Sequence, residues 1–432
     1  MNKNIIFTIC AKNYIGLAKI LQESLEKHNK NTDFLIFVAD EFSGDIEKYS
    51  LPENVIIAKD TLDISNSRWT DMSFKYNLTE FCTSIKPSAF LYLCENTSYE
   101  KIIYLDPDIY IYNSIDIVLD MLNKHSIVLT PHLSKITENY LGDLPDIDFL
   151  GNGIFNLGFC AIKNNSVSKR MLLWWRNKLV NNCFIDPYEN CFTDQKWMDF
   201  LPAYFDSDEL LITRHLGLNL APWNFYERKI YTKNEILFAS YRDENEENDS
   251  YPIIFVHFSG YDYKSLMSGK VAQKNIDGLK LYEDINLLTD IYSAAILNKR
   301  QEFERYIDMK YSYNTFDNDT SIIDFHRRIY RSLIIKGENI VNPFSTDDNT
   351  FYQRLKHSKM IKRSSINLDK VTKNNLQGVD GKLVIFNKLT RFLYKILGFE
   401  RYLLIIKLLR PYSRFETQIH LISKKFDDNN IK

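Results

Sequence analysis

The sequence has no glycine-rich phosphate loop: the turn after its first strand-like run reads Ala11-Lys12-Asn13-Tyr14. A dinucleotide site or a P-loop needs glycine at that turn so that phosphate oxygens can approach the backbone, so a nucleotide bound here needs another anchor. The six cysteines (10, 82, 94, 160, 183 and 191) are scattered without a Cys-x-x-Cys, and the N-terminus shows no charged-then-apolar leader ending in small residues. Both features read as reduced thiols in a cytoplasmic protein. No uncharged apolar stretch reaches the roughly 18 residues of a spanning helix. There is no internal repeat, and a formal charge of -2 gives no field directed at nucleic acid. Aromatic residues are abundant instead, with 27 Tyr and 28 Phe. Their faces suit bases and sugars, although most of them must be core. The 432 residues suffice for two or three units with ordinary cores.

The apolar runs set the organisation. Ile5 to Ala11 reads as a strand, Tyr14, Leu17, Ala18, Leu21 and Leu25 recur at helical spacing, and Phe34 to Asp40 reads as a second strand. Strand, helix, strand in this span is a βαβ unit, which implies an α/β fold with a mostly parallel sheet. Further strands are predicted at 55–58, 126–132 and 155–163, helices at 79–94 and 168–180, and a Gly-, Asp- and Pro-rich loop at 141–153. Residues 241–250 read as an acidic surface loop.

The stretch Lys101-Ile102-Ile103-Tyr104-Leu105-Asp106-Pro107-Asp108 is an apolar run that stops at two carboxylates. Ligands of open α/β sheets sit at such strand ends, and two Asp side chains across a stiff proline offer hard oxygen ligands to a divalent cation. Asp-x-Asp alone says little, because the chain also has it at Asp146/Asp148, Asp206/Asp208 and Asp317/Asp319. Only Asp106/Asp108 follows directly on a run that looks like a central strand. Its plain alternative is a solvated turn. A second apolar run, Ile253 to Gly260, ends in His257, which is either a hydrogen-bonded core residue or a third ligand.

Three segments are expected: a catalytic sheet domain over 1–270, a helical subdomain over 271–345, and a polar linker with a basic C-terminal region over 346–432. Within the last, 382–414 carries eight Lys/Arg against one acid, Glu400, interleaved with Leu, Ile, Phe and Tyr. That composition suits either a cationic amphipathic helix on an anionic membrane or a helix packed on its own domain.

These residues resemble a family. Over roughly 1–265 the chain is similar to the GT-A fold nucleotide-sugar glycosyltransferases, in particular the retaining, metal-dependent enzymes of glycosyltransferase family 8. Five segments carry the likeness in the family's order: Tyr14-Ile15-Gly16-Leu17-Ala18, Leu105-Asp106-Pro107-Asp108, Phe155-Asn156-Leu157-Gly158, Thr193-Asp194-Gln195 and His257-Phe258-Ser259-Gly260. The resemblance implies Mn²⁺ or Mg²⁺ held by Asp106, Asp108 and His257, with Tyr14 stacked on the base and Ala11 lending backbone contacts. It implies a sugar held by Asn156 and Gly158, Asp194 and Gln195 on the sugar's opposite face, and Lys86 beside the donor. Gly260, Lys264 and the Trp223-Asn224 segment would complete the substrate site. Lys86 lies 20 residues before Asp106, about one helical turn further than the family spacing, and Lys264 lies one residue further from His257 than usual.

The implied activity is transfer of a sugar from a nucleotide-sugar, expected to be UDP-linked, to a glycan or lipid-linked glycan acceptor. The implied setting is bacterial surface polysaccharide or lipopolysaccharide synthesis; composition, and not the resemblance, is what allows peripheral membrane contact through 382–414 and gives no sign of a nucleic acid partner. Two other classes remain open. A sugar-nucleotide pyrophosphorylase shares the sheet and metal but opens with a Gly-rich loop, which Cys10-Ala11-Lys12-Asn13 does not supply. A non-catalytic nucleotide- or glycan-binding scaffold keeps the fold without turnover.

Overall fold

The long apolar runs form strands where both faces can be covered, and nine of these strands position the site: β1 (Asn4–Cys10), β2 (Thr32–Val38), β3 (Val55–Ile57), β4 (Lys101–Leu105), β5 (Ile109–Ile111), β6 (Ile127–Leu129), β7 (Phe159–Lys163), β8 (Leu210–Ile212) and β9 (Phe255–His257). The protein is described by a computed structural model over residues 3–42, 51–243, 250–274, 276, 282–361, 369 and 378–422. Seven strands make the central sheet in the order β8-β6-β7-β4-β1-β2-β3. Neighbours run parallel except around β7, which is antiparallel to both β4 and β6. The expected mixed α/β architecture with a mostly parallel sheet is therefore what the chain adopts, with a helical C-terminal region. In β1, Ile5, Ile6, Phe7 and Ile9 are all at most 2% exposed, the double-sided burial that an unbroken apolar strand requires.

Two compact units partition the chain: Met1–Ser65 with Leu78–Ser312, and Asn66–Asn77 with Tyr313–Lys432. The helices Asn286–Asn298 and Arg300–Ile307, placed by sequence in a subdomain over 271–345, lie in the sheet unit. Ile285, Leu288, Tyr292, Ile296 and Phe303 share a core with Leu17, Ile20, Tyr110 and Val256. Tyr292 also stacks on Phe258 at 4.1 Å between ring centroids. The 271–345 segment is thus divided between units, since helix Asp324–Ile335 belongs to the second.

In the second unit, Phe74, Ile329, Tyr330, Leu333, Phe351 and Leu355 make the core. Arg327, 1% exposed, donates to the carbonyls of Phe74 (2.6 Å), Tyr76 (2.8 Å) and Tyr313 (2.9 Å). It thereby satisfies carbonyls left open at the end of helix Asn66–Lys75. Part of the expected polar linker, Phe351–His357, is a helix of this core, because Phe351, Tyr352 and Leu355 bury its apolar face.

Two other expectations change locally. The single helix predicted over 79–94 is two, Leu78–Ser84 and Lys86–Asn96, with Pro87 in the first turn of the second. Proline lacks the N–H a continuous helix needs at that point but is well suited to a first turn. The loop predicted over 141–153 contains a short helix, Ile147–Asn152, stopped by Gly153 at φ 108°. Residues 244–249 of the acidic loop, and 362–368 and 370–377 of the linker, lie outside the described residues.

Gly16 is where helix Ile15–His28 meets helix Arg300–Ile307. A Cβ added there would stand 2.8 Å from the Cα of Phe303. Helix propensity favours alanine by about 1 kcal/mol, whereas overpacking against backbone that cannot rotate away costs about 1–3 kcal/mol. Gly16→Ala is therefore expected to lower stability by about 1 kcal/mol or more in a denaturant titration; a gain would show that these helices separate freely.

Candidate active site

β4 delivers Asp106 to the sheet edge, where its N–H donates to Gly158 O at 2.8 Å. Pro107 turns the chain into β5, which pairs antiparallel with β9 so that Ile109 lies opposite His257. His257 was expected on the parallel sheet. It arrives instead on this separate two-stranded ribbon, which the Asp106–Asp108 turn starts and which Phe258 N–H, donating to Asp108 O at 2.9 Å, continues. The outcome is convergence: His257 Nε2 lies 3.5 Å from Asp106 Oδ2 and 3.1 Å from Asp108 Oδ1. One ligand atom from each of the three residues falls within 4.8 Å of the others, a cluster able to hold a metal ion.

The remaining carboxylate oxygens are occupied. Tyr104 OH donates to Asp106 Oδ1 at 2.5 Å, and Tyr263 OH donates to Asp108 Oδ2 at 2.9 Å. Two phenols thus fix the carboxylates with the other oxygen of each turned to the imidazole. On the far side of the ring, His257 Nδ1 is 3.2 Å from Asn156 Oδ1. That oxygen also accepts from Gly158 N–H at 3.1 Å and Asn219 Nδ2 at 3.2 Å. An amide oxygen that already accepts two N–H groups is an acceptor for the ring too, which assigns the proton to Nδ1 and leaves the Nε2 lone pair for a metal.

Burial opposes charge on His257, yet Asp108 and then Asp106 outweigh it and hold its pKa above the ordinary value. Burial would also raise Asp108, but the facing His257 and the Tyr263 hydroxyl bring it below the usual carboxylate range. Asp106 is raised, because its burial exceeds the pull of Lys86 and His257. A divalent ion fits these donors: it would replace the imidazole proton as counter-charge to two part-buried carboxylates.

A second pair adjoins the first. Lys86 Nζ, 1% exposed, donates to Asp194 Oδ2 at 2.6 Å and to Leu157 O at 2.8 Å, and lies 4.1 Å from the centre of the Tyr104 ring. Thr193, held at φ 47°, donates its hydroxyl to Asp194 Oδ1 at 3.2 Å. Asp194 starts the 3-10 helix Gln195–Phe200 but makes no capping hydrogen bond, so its carboxylate serves Lys86 and not the helix end. Gln195 Nε2 donates to Asn152 O at 2.8 Å.

The other sequence candidates divide. Tyr14 packs edge-on against Tyr263 at 5.9 Å, and burial followed by Asp108 pushes its hydroxyl up to about 12. Ala11 O accepts from Tyr14 N–H at 2.9 Å and shapes the first turn. Trp223 stands edge-on to His257 at 5.5 Å, and its buried indole N–H has no hydrogen-bond partner. Asn224 is fully buried and its side chain is taken by Ala221 N–H, His132 O and Asn219 O, so it holds the segment that carries Trp223. Gly260 adopts φ 72°, which only glycine takes without strain. Lys264 is not gathered to the cluster; it is exposed and pairs with Asp308 at 2.6 Å.

Four contributors escaped the sequence reading: Tyr104, Tyr263, Asn219 and His132. Tyr104 carried a signal, since it lies two residues before Asp106 on the same strand face. Tyr263 opens the short helix Tyr263–Met267, and Asn219 and His132 lie in loops with no periodicity to mark them.

No known protein-family profile matches the chain. A Bacillus subtilis (strain 168) protein, YfnF, described as uncharacterised, is 24% identical over 271 residues, which is 60% of this chain and 82% of its own. Among solved structures, the galactosyltransferase LgtC in complex with donor and acceptor sugar analogs covers 59% of this chain and 87% of its own at 15% identity, TM-score 0.38. The glycosyltransferase GlyE of Streptococcus pneumoniae TIGR4 covers 73% and 67% at 12% identity, TM-score 0.37.

Gly158 leaves no room for a side chain: a Cβ there would stand 2.5 Å from Nδ1 and Cε1 of His257. The ring must give way, so Gly158→Ala is expected to weaken Mn²⁺ binding by calorimetry on the order of 10- to 100-fold, the usual effect of disturbing a ligand's support. Unchanged affinity would mean that the ring is not a ligand.

The raised His257 pKa fixes a sign as well. In the metal-free fold, the protonated ring facing two carboxylates contributes stability that is full below the ordinary His value of about 6.5 and fades as pH rises through the raised value. Metal needs the neutral ring, so the Mn²⁺-induced rise in Tm should grow from pH 6 to pH 8; a flat profile would remove His257 from the ligand set.

Proposed function

We propose that the protein is a metal-dependent glycosyltransferase of GT-A type that moves a hexose from a nucleotide-sugar, UDP-linked, to a glycan or lipid-linked glycan acceptor in bacterial surface polysaccharide synthesis. The observation that carries this proposal is the meeting of Asp106, Asp108 and His257 beside the buried Lys86–Asp194 pair. Three of the five family-like segments, far apart in sequence, supply the Asp106/Asp108 pair, Asp194 and His257, and Lys86 joins them from a fourth place in the chain.

Asp106 Oδ2, Asp108 Oδ1 and His257 Nε2 would hold Mn²⁺ or Mg²⁺. Such an ion, when bound, supplies Lewis-acid charge stabilisation to the diphosphate leaving group. Tyr104 and Tyr263 hold the two carboxylates so that little reorganisation is needed. Tyr14, packed on Tyr263, would offer its ring face to the base. Lys86 sets positive charge next to Asp106, and its partner Asp194 keeps that charge tolerable in a buried site. The unpartnered Trp223 N–H beside His257 is a donor suited to a sugar hydroxyl or a phosphate oxygen.

Sugar transfer breaks the bond from the anomeric carbon to the phosphate oxygen and forms one to the acceptor oxygen, while the acceptor's proton passes to the departing phosphate. Asp194, with both oxygens engaged by Lys86 and Thr193, acts here as a counter-charge and not as a nucleophile. That favours transfer on the leaving-group face, with retention, over covalent capture by Asp194.

Asp108→Ala is expected to reduce Mn²⁺-dependent turnover of the accepted nucleotide-sugar on the order of a hundred-fold or more, the scale of losing one preorganised electrostatic element. A thermal-shift screen of nucleotide-sugars with and without Mn²⁺ selects the donor, because ligands of the folded state raise its stability. Turnover that survives Asp108→Ala overturns the metal role. Mn²⁺-dependent binding with neither transfer nor hydrolysis would leave a non-catalytic nucleotide-sugar binder.

A further inference from the structure

Most of the basic C-terminal stretch, 382–409, lies within helix Val379–Leu409, which Gly398 breaks at φ 75° and ψ 170°. On the first arm, Ile385, Phe386, Leu389, Phe392, Leu393 and Ile396 recur at intervals of one, three or four, which gathers them on one face of a 3.6-residue helix. Each is between 37% and 69% exposed. Lys388, Arg391 and Lys395, at their own spacing of three and four, mark an adjoining face along one flank of the apolar one. At the break, the rings of Tyr394 and Tyr402 meet at 5.7 Å, although eight residues of straight helix would separate them by about 12 Å. The second arm is therefore bent back at Gly398 and does not prolong the first.

This is not a loose tail. Met360 and Ile361 pack on the core of the second unit before it, and Ile422 is buried in the same core after it. Phe415 meets Phe325 at 5.4 Å and Ser332 Oγ donates to Glu416 O at 3.0 Å. The chain after it is thus held to the core of the second unit, and the bent helix leaves its large apolar side chains in solvent. Burying one such side chain is worth about 1.5–3 kcal/mol, so six of them left uncovered call for a partner.

We propose that this bent helix lies flat on an anionic lipid surface, its Ile385–Leu389–Phe392–Ile396 face sunk among the acyl chains and its Lys and Arg residues at the headgroups. No described helix is long and apolar enough to cross a membrane, which leaves an interfacial placement. Charge decides the occupant. Eight Lys/Arg against Glu400 over 382–414 would repel a second copy of the same stretch, whereas an anionic bilayer offers both hydrocarbon and counter-charge. The proposal does not depend on the chemistry of the sheet unit.

The test is flotation of the full chain with vesicles of phosphatidylcholine alone or with phosphatidylglycerol added. Binding is expected to the anionic vesicles, much less to the neutral ones, and to weaken in high salt. Reversing three charges (K388E, R391E and K395E together) should weaken partitioning by more than about a hundred-fold, at roughly five-fold per positive charge lost near the surface and more for the repulsion each Glu adds. Leu389→Ser with Phe392→Ser should weaken it as well, while the far-UV circular dichroism and thermal midpoint of either variant stay those of the parent and so report an intact fold. Failure to float with anionic vesicles overturns the proposal. So does equal binding of the charge-reversed variant, or a dimer in ultracentrifugation that ignores vesicles and dissociates on Leu389→Ser with Phe392→Ser.

Discussion

Two part-buried carboxylates side by side are the constraint to which the sheet unit is fitted. Like charges a few ångströms apart at a partly desolvated edge repel, and each also loses part of its hydration. The protein answers with positive and donor groups from four directions: the Tyr104 hydroxyl from within the same strand, the Tyr263 hydroxyl and the His257 imidazole from across the ribbon, and the Lys86 ammonium near Asp106. Opposite directions of shift for Asp106 and Asp108 follow from this arrangement. Asp108 faces the nearer contact with His257 and has the Tyr263 hydrogen bond, whereas burial of Asp106 is less fully offset. A site so arranged holds one positive charge at its centre by design, and a proton on His257 and a divalent ion compete for that place.

The legible part of this protein is the part written in local periodicity. Ile5–Ile9 and Ile102–Leu105 declare buried strands because each residue is apolar on both faces, and the observed β1 and β4 agree with those runs to within a residue or so. The acidic pair was legible from its position at the end of such a run. The ribbon that carries His257 was not. An apolar strand of three residues looks the same whether it extends the main sheet or pairs with β5, and only the long-range register of Ile109 with His257 decides. Boundaries set by distant packing were hidden for the same reason. Nothing in Asn66–Asn77 says that its carbonyls will be met by Arg327, some 250 residues away. Nor does Gly16 announce that the backbone at Phe303 will close against it.

The resemblance implies Asn156 and the Trp223-Asn224 segment as substrate contacts, and the structure shows what their amides meet within the fold. In the fold both are consumed: Asn156 gathers His257, Gly158 and Asn219 on one oxygen, and Asn224 ties Ala221 to His132 and Asn219. A buried amide that meets three partners at once is far more useful as a hinge pin than as a contact that must be remade with each ligand. Trp223, which Asn224 supports, is the complementary case, since its N–H is left over when the protein's own acceptors are counted. The difference between the two neighbours is visible only in who satisfies whom, a property of tertiary structure and not of residue type.

Preorganisation is the last step that follows from these contacts. If Asn156 Oδ1 fixes the Nδ1 proton and the phenols fix the outer carboxylate oxygens, the three inward ligand atoms keep their positions without an ion, at separations of 3.1 and 3.5 Å from the imidazole nitrogen. An ion entering the cluster therefore needs only to exchange with a proton and does not have to fold the site around itself. Gly158 shows how little slack that leaves, because its missing side chain is the space in which the His257 ring stands. The backbone that makes room for the ring also accepts the Asp106 N–H, so the acid and the imidazole are positioned from one peptide segment. Such shared support ties the spacing of Asp106 and His257 to the register between β4 and β7, and changes at the strand edge would be felt at this cluster before they are felt in the core.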